Sequence, residues 1–403
     1  MFINATQRRN PKLIEGTVEL HRSGQLPSNC YVIDLDTVAA NARILSQAAK
    51  ELGLVTFQMS KQYGRNPVVA QTVAANGIDR VVAVDFEEAR ILHHYGLKIG
   101  HLGHLVQVPF SEIGRALDME PTFITVFGLD QAERIAKVAR AHGVEQKLLI
   151  RVFQHGDTYY PAQRGGVPLV DLLDVAKKIE SLEGVRVAGV TSFPCVLFNE
   201  EKKLFELTSN LRTISDAAAN LRSNGISAHV VNAPSACSSA TFGMKAAAGA
   251  THVEPGSALT GHTPLHAQSD QLEIPAMIYL SEVTHKLDEV VYSLGGGFYS
   301  RSRAREALIY GRDSDLPIRA RVELDPPEAI DYYGNLYVDD MSRVSVGDSV
   351  IYAFRSQVFV SRSFVAVLAN VATNPEVVGI FDRAGFRMGS DLLPIVASSD
   401  SPH

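Results

Sequence analysis

Cysteine and long apolar runs are both scarce in this sequence. The 403-residue chain holds three cysteines, Cys30, Cys195 and Cys237, and none forms a Cys-x-x-Cys pair, so no disulfide framework is predicted. No stretch approaches the roughly 18 apolar residues that cross a bilayer. The first residues, MFINATQRRNPK, lack the apolar core of a secretory signal. These absences predict a reduced, cytoplasmic protein with no membrane partner.

A strong excess of charge of one sign is also missing. The formal net charge is −6, with 46% hydrophobic and 20% charged residues, which is the balance of an ordinary globular protein. This charge gives no reason to expect nucleic acid or an anionic membrane as a partner. The length exceeds that of one average domain, so two domains are the first expectation.

Residues 37–270 alternate between short apolar runs and helix-like stretches with apolar spacing of three and four. The continuous apolar character of the runs is typical of parallel strands that are buried on both faces. Eight such runs predict a (β/α)8 TIM-type barrel, with an open doubly wound sheet as the alternative. The predicted strands are 54–60, 79–85, 99–107, 122–127, 147–154, 185–192, 228–234 and 250–255.

The pattern changes near residue 271, where strand-like runs are separated by Pro, Gly and Asp. Residues 271–403, together with 1–36, are therefore predicted to form a second, β-rich domain. The run 30–35 is a candidate strand of that domain, and Asp36 is placed to cap the following helix. The runs that predict its remaining strands are 274–284, 288–294, 317–324, 333–339 and 349–354.

Three of the predicted barrel strands end in residues that can take part in catalysis or ligand binding. The C-terminal ends of barrel strands form the active-site face. The first strand delivers Lys61, the seventh Ser235, and the eighth Glu254, Gly256 and Ser257. Small residues after strands seven and eight let backbone N–H groups approach a phosphate. A lysine, a phosphate cup and an acid predict a site for pyridoxal 5'-phosphate, held by Lys61 as a Schiff base.

Four motifs resemble those of the alanine racemase-like, fold type III pyridoxal phosphate enzymes, most closely the YhfX-type subgroup. YVIDLDTVAANARIL at 31–45 resembles the opening strand and helix of the family, and QMSKQYG at 58–64 resembles its lysine motif. HVEPGSALTG at 252–261 resembles the phosphate and ring-nitrogen motif, and the segment 333–354 resembles the second-domain signature. The motifs follow the family order along most of the chain.

The resemblance implies roles for further residues. Arg164 would lie near the ring hydroxyl, and Phe193, or Ser192 if one gap is allowed, would stack on the ring. Ser235, Gly256 and Ser257 would contact the phosphate. The resemblance also implies a homodimer, in which a second-domain group of the partner subunit faces Lys61 across a small amino-acid substrate. Tyr299 and Tyr337 are the two candidates for that acid–base group, and the sequence does not choose between them.

Glu254 departs from the alanine racemase pattern, which carries an arginine against the ring nitrogen. A carboxylate favours a protonated ring nitrogen and makes the cofactor a stronger electron sink. The predicted function is an amino-acid racemase or epimerase, a pyridoxal phosphate-dependent isomerase acting through an external aldimine and Cα proton exchange. The same carboxylate favours the alternative of a decarboxylase or lyase. A pyridoxal phosphate-binding protein without turnover is a further alternative, against which the long second domain argues.

Four histidines suggest a metal site, which we weigh against a purely structural role. They stand at 93, 94, 101 and 104, across a predicted helix–turn–strand boundary, and no carboxylate or cysteine cluster follows them nearby. The metal-dependent aldolases and dehydratases of the family carry histidine-containing motifs late in the chain, whereas here only His403 follows His285. No metal site is therefore predicted.

Overall fold

A computed structural model describes residues 1–299 and 302–395. The helices are α1 Phe2–Arg9, α2 Pro11–Arg22, α3 Leu35–Glu51, α4 Pro67–Ala75, α5 Phe86–His94, α6 Ile113–Asp118, α7 Leu129–His142, α8 Leu172–Glu180, α9 Ser209–Ser223 and α10 Ser239–Ala247. The strands up to residue 253 are β1 Cys30–Asp34, β2 Val55–Thr56, β3 Gln58–Met59, β4 Arg80–Ala83, β5 Lys98–Leu102, β6 Phe123–Val126, β7 Gln146–Phe153, β8 Val167–Pro168, β9 Val185–Thr191, β10 Val196–Asn199, β11 Leu204–Leu207, β12 Val230–Asn232 and β13 His252–Val253. The later strands are β14 Met277–Leu287, β15 Val290–Leu294, β16 Glu306–Tyr310, β17 Ile318–Glu323, β18 Tyr333–Tyr337, β19 Ser349–Tyr352, β20 Phe364–Ala369 and β21 Glu376–Phe381.

A parallel sheet forms the predicted barrel. Its strand order is β2-β13-β12-β9-β7-β6-β5-β4-β3, and each of the eight predicted runs contributes to it. The first run is divided at Phe57 into β2, which pairs with β13, and β3, which pairs with β4. One short stretch of chain thus joins both ends of the sheet and closes the ring, so the (β/α)8-type barrel is confirmed.

The second sheet is mainly antiparallel. β14 pairs with β19 at Tyr279–Glu282 and with β15 at Val283–Leu287, so β14, β15, β18, β17, β16 and β19 form a closed ring. β1 extends this sheet, because it pairs antiparallel with β14 and parallel with β20. The β-rich second domain is thereby confirmed. We propose residues 37–270 as the barrel, and 1–36 with 271–403 as the second domain.

The start of the chain differs from the predicted pattern in two ways. α1 and α2 precede β1, and their apolar side chains, such as Ile3 and Ile14, pack on the second sheet against Ile278. The predicted cap of α3 was wrong by two residues. Asp34 caps the helix by accepting a hydrogen bond from the Thr37 N–H at 3.1 Å, whereas Asp36 accepts one from the Asn370 N–H at 2.7 Å.

The two domains meet beside the lysine turn. A 3-10 turn at Ser60–Tyr63 follows β3 and packs on a second 3-10 turn at Val358–Val360. Gly64 ends the first turn at φ 72°, and a Cβ there would lie 2.7 Å from the Val358 side chain. Only glycine therefore allows both this backbone conformation and this close approach. The contact places the loop after β19 against the C-terminal end of the barrel.

Within the described residues, no helix has the length and apolar character needed to traverse a bilayer.

Candidate active site

Lys61 lies in the 3-10 turn that follows the first barrel strand. Burial lowers the pKa of its ammonium, and the positive charge of Arg355 lowers it further, while Glu88 and Glu254 act in the opposite direction. Nζ lies 5.8 Å from the centre of the Phe359 ring. No hydrogen bond or ion pair engages this ammonium within residues 1–299 and 302–395. The lowered pKa favours the neutral amine, which is the nucleophilic form of the side chain.

Glu88 is a buried carboxylate behind the lysine turn. It accepts hydrogen bonds from the Ser60 hydroxyl and from the Val84 N–H, the latter at 2.7 Å. Burial raises its pKa, although Arg65 and the hydrogen bond from Ser60 partly offset this. Glu88 therefore fixes the residue that precedes Lys61 and places a titratable group near the amine.

Glu254 follows the last barrel strand and is fully buried. Its Oε1 accepts hydrogen bonds from His101 Nδ1 at 2.6 Å and from Asn232 Nδ2 at 2.8 Å. His101 Nε2 in turn lies 2.5 Å from the Thr125 hydroxyl. Burial acts to raise the pKa of Glu254, but the charges and hydrogen bonds of its neighbours outweigh burial and lower it to about 2. Glu254 is therefore a carboxylate at neutral pH.

His104 lies on the other side of Glu254, with Nε2 3.8 Å from Glu254 Oε2. Burial lowers the pKa of His104 to about 3, so its ring is neutral at neutral pH. His101, His104 and Glu254 bring ligand atoms within 4.8 Å of one another. The sequence offered no nearby carboxylate for these histidines, yet folding supplies Glu254 from 153 residues away. Because both nitrogens of His101 are engaged in hydrogen bonds, the group fits a network that holds Glu254 better than it fits a metal centre.

The loop after the seventh barrel strand forms a backbone-lined cup. Ser235 and Ala236 adopt φ values of 73° and 44°. The Ser235 hydroxyl does not face a free space, since it accepts hydrogen bonds from the N–H groups of Cys195 and Val196, each at 3.0 Å. Its expected contact with a phosphate would therefore come from the backbone. The left-handed conformation of these two residues is strained for side-chain-bearing residues, and such strain is characteristic of binding loops.

A fully buried lysine holds this cup from beneath. Lys245 Nζ, on α10, donates hydrogen bonds to the carbonyl oxygens of Ala233 at 2.8 Å and Ser235 at 2.5 Å. The same nitrogen lies 2.9 Å from Cys237 Sγ. Three contacts to one loop explain how a lysine is tolerated with no exposed surface. Its charge also lies behind the backbone that would face an anion.

The second half of the cup is the turn after β13. Gly256 lies so close to the lysine turn that a Cβ would be 2.5 Å from Gln62 Oε1 and 3.0 Å from Met59 Cβ. Ser257 closes the turn by accepting a hydrogen bond from the His262 N–H at 2.8 Å through its carbonyl. Both residues line the same cavity as Ser235.

These elements enclose a cavity of about 350 Å³. Its lining unites residues of the barrel with Tyr299, Arg355 and Phe359 from the second domain. Of the residues predicted from the sequence, the structure brings together Lys61, Phe193, Ser235, Glu254, Gly256, Ser257 and Tyr299.

Two predicted residues do not line this cavity. Arg164 lies over the ring of Tyr159, with its guanidinium carbon 5.4 Å from the ring centre. Tyr337, on β18, packs under Arg321, whose guanidinium carbon lies 4.1 Å from the tyrosine ring centre. Phe193 does line the cavity and meets His104 edge-on at 5.4 Å between ring centres. Within one subunit, Tyr299 thus lines the cavity and Tyr337 does not.

The unpaired polar atoms of the cavity fit the cofactor that the sequence implies. Buried atoms without a hydrogen-bond partner in the described residues include Glu254 Oε2, both ring nitrogens of His104, Gln62 Oε1 and Arg355 Nε. An unpaired buried carboxylate oxygen is costly unless a ligand group completes its hydrogen bonding. A protonated ring nitrogen would satisfy Glu254 Oε2, while Lys61 and the cup would hold the aldehyde carbon and the phosphate. The residues therefore fit pyridoxal phosphate.

Sequence reasoning missed five residues of this arrangement: His101, His104, Glu88, Lys245 and Arg355. His101 and His104 lie within the predicted strand 99–107 and were weighed only as metal ligands, because their partner Glu254 is distant in the sequence. Lys245 and Glu88 belong to amphipathic helices, where a charged residue is normally exposed. Arg355 follows a second-domain strand, and only the packing of the two domains brings it to the cavity.

Comparisons with known proteins agree with the two-domain fold described above. Residues 33–264 match the family model "Alanine racemase, N-terminal domain", and residues 278–377 match "YhfX-like, C-terminal domain". The uncharacterized protein YhfX of Escherichia coli K12 is 36% identical over 97% of this chain and 100% of its own length. Alanine racemase 2 of Caldanaerobacter subterraneus subsp. tengcongensis is 24% identical, covering 79% of this chain and 84% of that protein.

Among solved structures, the D-threonine aldolase of Filomicrobium marinum matches with a TM-score of 0.65 over 89% of this chain and 96% of that chain. At 15% identity, this likeness concerns the fold alone. The family model of the alanine racemase N-terminal domain matches more than half of the sequence, and YhfX is similar over nearly the whole chain. The chain therefore belongs to the alanine racemase-like family, with an alanine racemase N-terminal domain and a YhfX-like C-terminal domain.

Proposed function

We propose that this protein is a pyridoxal phosphate-dependent amino-acid racemase or epimerase. The observation that carries the proposal is that one cavity joins Lys61, an amine with a lowered pKa, to Glu254, a buried carboxylate with one unpaired oxygen. The racemase name of a relative that is 24% identical supports the same reaction class. When bound, pyridoxal phosphate would supply an electron-poor ring that stabilises negative charge at the substrate Cα.

The residues of the chain divide the remaining work among them. Lys61 would hold the cofactor and would exchange a proton at one face of Cα, a role that its lowered pKa favours. Tyr299 lines the cavity and is the candidate for exchange at the opposite face. Glu254 would hold positive charge on the ring nitrogen, and His101 and Asn232 keep that carboxylate in place.

We also propose a homodimer that binds a small amino acid. The family resemblance supports this assembly, in which the second domain of one subunit approaches the active site of the other. Tyr337 keeps a place in the proposal only through such a contact, since it lies outside the cavity of its own subunit. Sedimentation of the cofactor-loaded protein should show twice the 43.8 kDa chain mass. A monomer at active concentrations would remove both the dimer and Tyr337 from the proposal.

The second candidate function is that of a lyase or decarboxylase, and Glu254 is the observation that favours it. A carboxylate at the ring nitrogen stabilises negative charge at Cα more strongly than an arginine would. This benefit serves loss of carbon dioxide or of an aldehyde as well as proton exchange. The fold shared with a D-threonine aldolase is compatible with that chemistry.

Borohydride reduction tests the cofactor assignment. Lysine-bound pyridoxal phosphate is fixed by reduction, so peptide mapping of the treated protein should find the label on Lys61. Lys61→Ala should remove both the label and the visible absorbance, and Lys177→Ala, at an exposed lysine of α8, should retain both. If the protein carries no visible absorbance and Lys61 stays unmodified, the proposal is wrong.

Deuterated water separates the candidate reactions. A racemase incorporates solvent deuterium at Cα while the optical purity of a single amino-acid enantiomer declines. A decarboxylase releases carbon dioxide, and an aldolase releases an aldehyde, without accumulating the opposite enantiomer. A panel of D- and L-amino acids is needed because a single pocket substitution can redirect specificity. Labelled Lys61 with no reaction on any member would support a binding protein without turnover.

A further inference from the structure

Arg355 lies where the site cavity meets a second cavity. It stands three residues beyond β19, in the loop that packs on the lysine turn. The second cavity has a volume of about 430 Å³ and shares five lining residues with the first: Tyr160, Leu197, Phe198, Pro264 and Arg355. Arg355 therefore borders both the space next to Lys61 and the space that leads away from it.

The guanidinium of Arg355 has no protein partner in the described ranges 1–299 and 302–395. No hydrogen bond or ion pair engages it there, and its Nε is buried without a hydrogen bond. Arg303, which also lines the second cavity, differs because it forms an ion pair with Glu200. A partly buried arginine without an acidic side chain as its partner costs free energy unless a bound anion pairs with it. The positive charge of Arg355 also acts on Lys61, where it adds to burial in lowering the pKa of the amine.

Two anions could approach this arginine, namely the carboxylate of an amino acid and the phosphate of the cofactor. The cup of Ser235, Gly256 and Ser257 borders only the first cavity. Arg355 borders both cavities and thus lies on the side where they join. A carboxylate attached to Cα must lie near Lys61, whereas the phosphate already has its cup. The planar guanidinium also matches a carboxylate with two parallel hydrogen bonds.

We propose that Arg355 binds the α-carboxylate of the amino-acid substrate. This inference deepens the proposed function and rests on it for the identity of the substrate class. Arg355 would fix the carboxylate and thereby orient Cα next to Lys61, with the side chain of the substrate directed toward the second cavity. The second cavity leaves room for a substrate larger than alanine. Residues of both charges border it, among them Glu200, Lys203 and Arg305.

Propionate is a suitable probe, because it carries the carboxylate without the amine and needs no knowledge of the substrate. Its affinity is measured by calorimetry on the full chain, with and without pyridoxal phosphate. Arg355→Gln should weaken propionate binding at least about tenfold, and Arg355→Lys should lose part of the affinity, because lysine keeps the charge but not the paired hydrogen bonds. The matched control is Arg305→Gln, at an exposed arginine of the second cavity, which should change the affinity less than about twofold.

The affinity for pyridoxal phosphate is measured on the same variants. It should stay within about threefold of the unchanged chain if Arg355 binds the substrate carboxylate. A loss of cofactor affinity in Arg355→Gln with unchanged propionate binding would overturn the proposal and assign Arg355 to the phosphate. Equal loss of propionate binding in Arg305→Gln would overturn it in favour of a general positive field. Unchanged propionate binding in both Arg355 variants would also overturn it.

Failure of the proposed function has a different signature. The borohydride label on Lys61 tests the cofactor, while propionate binding to the cofactor-free protein tests Arg355. An absent label together with an Arg355-dependent propionate site would retain the carboxylate site and reject the pyridoxal phosphate enzyme. A present label together with Arg355-independent binding would do the reverse.

Discussion

The barrel cavity and the core of the second sheet both bury polar groups, but they treat those groups differently. In the second sheet, Tyr31, Tyr279 and Tyr352 are almost completely buried. Each of their hydroxyls is paired: Tyr31 donates to the Gly297 carbonyl, Tyr279 to Asn29 Oδ1 at 3.0 Å, and Tyr352 shares a hydrogen bond of 2.5 Å with Ser293. The hydroxyls of these three tyrosines are satisfied by the protein itself.

The barrel cavity leaves its polar atoms unsatisfied. Glu254 Oε2 and both nitrogens of His104 are buried without a hydrogen bond in the described residues. Folding normally pairs buried polar atoms, because each unpaired one costs free energy. The contrast shows that these tyrosine hydroxyls are satisfied within the protein, whereas the unpaired atoms of the cavity are available to a ligand. Substitutions in the two regions should therefore affect different measurements.

The largest effect is expected at Glu254. Glu254→Gln preserves the volume but cannot hold positive charge on a ring nitrogen, so turnover should fall about 100- to 1,000-fold. The visible absorbance of the bound cofactor should change as well, because the protonation of the ring changes. The free energy of unfolding of the cofactor-free protein should fall as well, because His101 and Asn232 lose a charged acceptor at Oε1. Turnover is measured with the amino acid found active, and stability by urea unfolding.

Glu273 is the matched control for Glu254. It is a fully buried glutamate of the same region, but both of its oxygens accept hydrogen bonds from Ser239, from N–H at 2.8 Å and from the hydroxyl at 3.0 Å. Glu273→Gln should lower the free energy of unfolding by about 1–2 kcal/mol and leave the cofactor absorbance unchanged. If the two variants behave alike, unpaired atoms do not distinguish a binding site from structural packing.

Lys245 tests a satisfied group within the barrel. Lys245→Met removes the donor of three contacts to the loop Ala233–Cys237. Within the described residues, its two carbonyl acceptors would keep only the weak Cys237 thiol donor, which they share, so we expect the free energy of unfolding to fall by about 3 kcal/mol. Cofactor affinity should fall too, since the loop that faces the phosphate loses its support. Lys178→Met, at an exposed lysine, should change neither quantity, and a stable, tightly binding Lys245→Met protein would contradict this assignment.

The sequence predicted regions of local regularity well and distant pairings poorly. All eight barrel strands follow from continuous apolar runs, because burial on both faces leaves a visible pattern. β16, β20 and β21 were not predicted, although 306–310 and 364–369 are largely buried apolar runs in the structure. Short strands of a mixed sheet depend on partners far along the chain, and no local signal specifies those partners.

The same limit applies to the candidate site. Lys61 and Glu254 were found because each directly follows a strand of a barrel, whose chemistry lies at that end. The contact of His101 with Glu254 was not predictable, because it depends on the closure of the ring across 153 residues. The cap residue of α3 shows a local failure. Asp34 and Asp36 have the same side chain two positions apart, and only the exact helix start decides which one caps it.

The stability of the two regions should depend on pH in different ways. Burial lowers the pKa of His104 and His266 to about 3 and that of His262 to about 4, against an ordinary value of 6.5. The folded barrel therefore binds fewer protons than the unfolded chain in this range, and stability falls as the pH drops from 6.5 toward 3. By pH 5 each imidazole should cost about 1–2 kcal/mol.

The second sheet has the opposite dependence on pH. Burial raises the pKa of Tyr31 and Tyr279 well above 10. The folded state thus retains protons that the unfolded chain releases, and stability falls as the pH rises above 10. Peptide-resolved hydrogen exchange, corrected for intrinsic rates, should show barrel peptides opening first in acid and second-sheet peptides first in alkali. Simultaneous opening at both extremes would show that the two regions unfold as one unit.

The smallest effect is expected at Tyr352. Tyr352→Phe removes the hydrogen bond to Ser293 but keeps the aromatic contacts with Tyr279 and Phe298, whose ring centres lie 5.8 and 5.2 Å away. The free energy of unfolding should fall by about 1 kcal/mol, measured in urea, while the exposed Tyr332→Phe should leave it unchanged. Cofactor affinity should be unaffected, because this hydroxyl is satisfied within the sheet and lies outside the residues that line the cavity. Weaker cofactor binding would show that the core of the second sheet affects the barrel end. It would also show that hydrogen-bond pairing alone does not separate structural from functional polar groups.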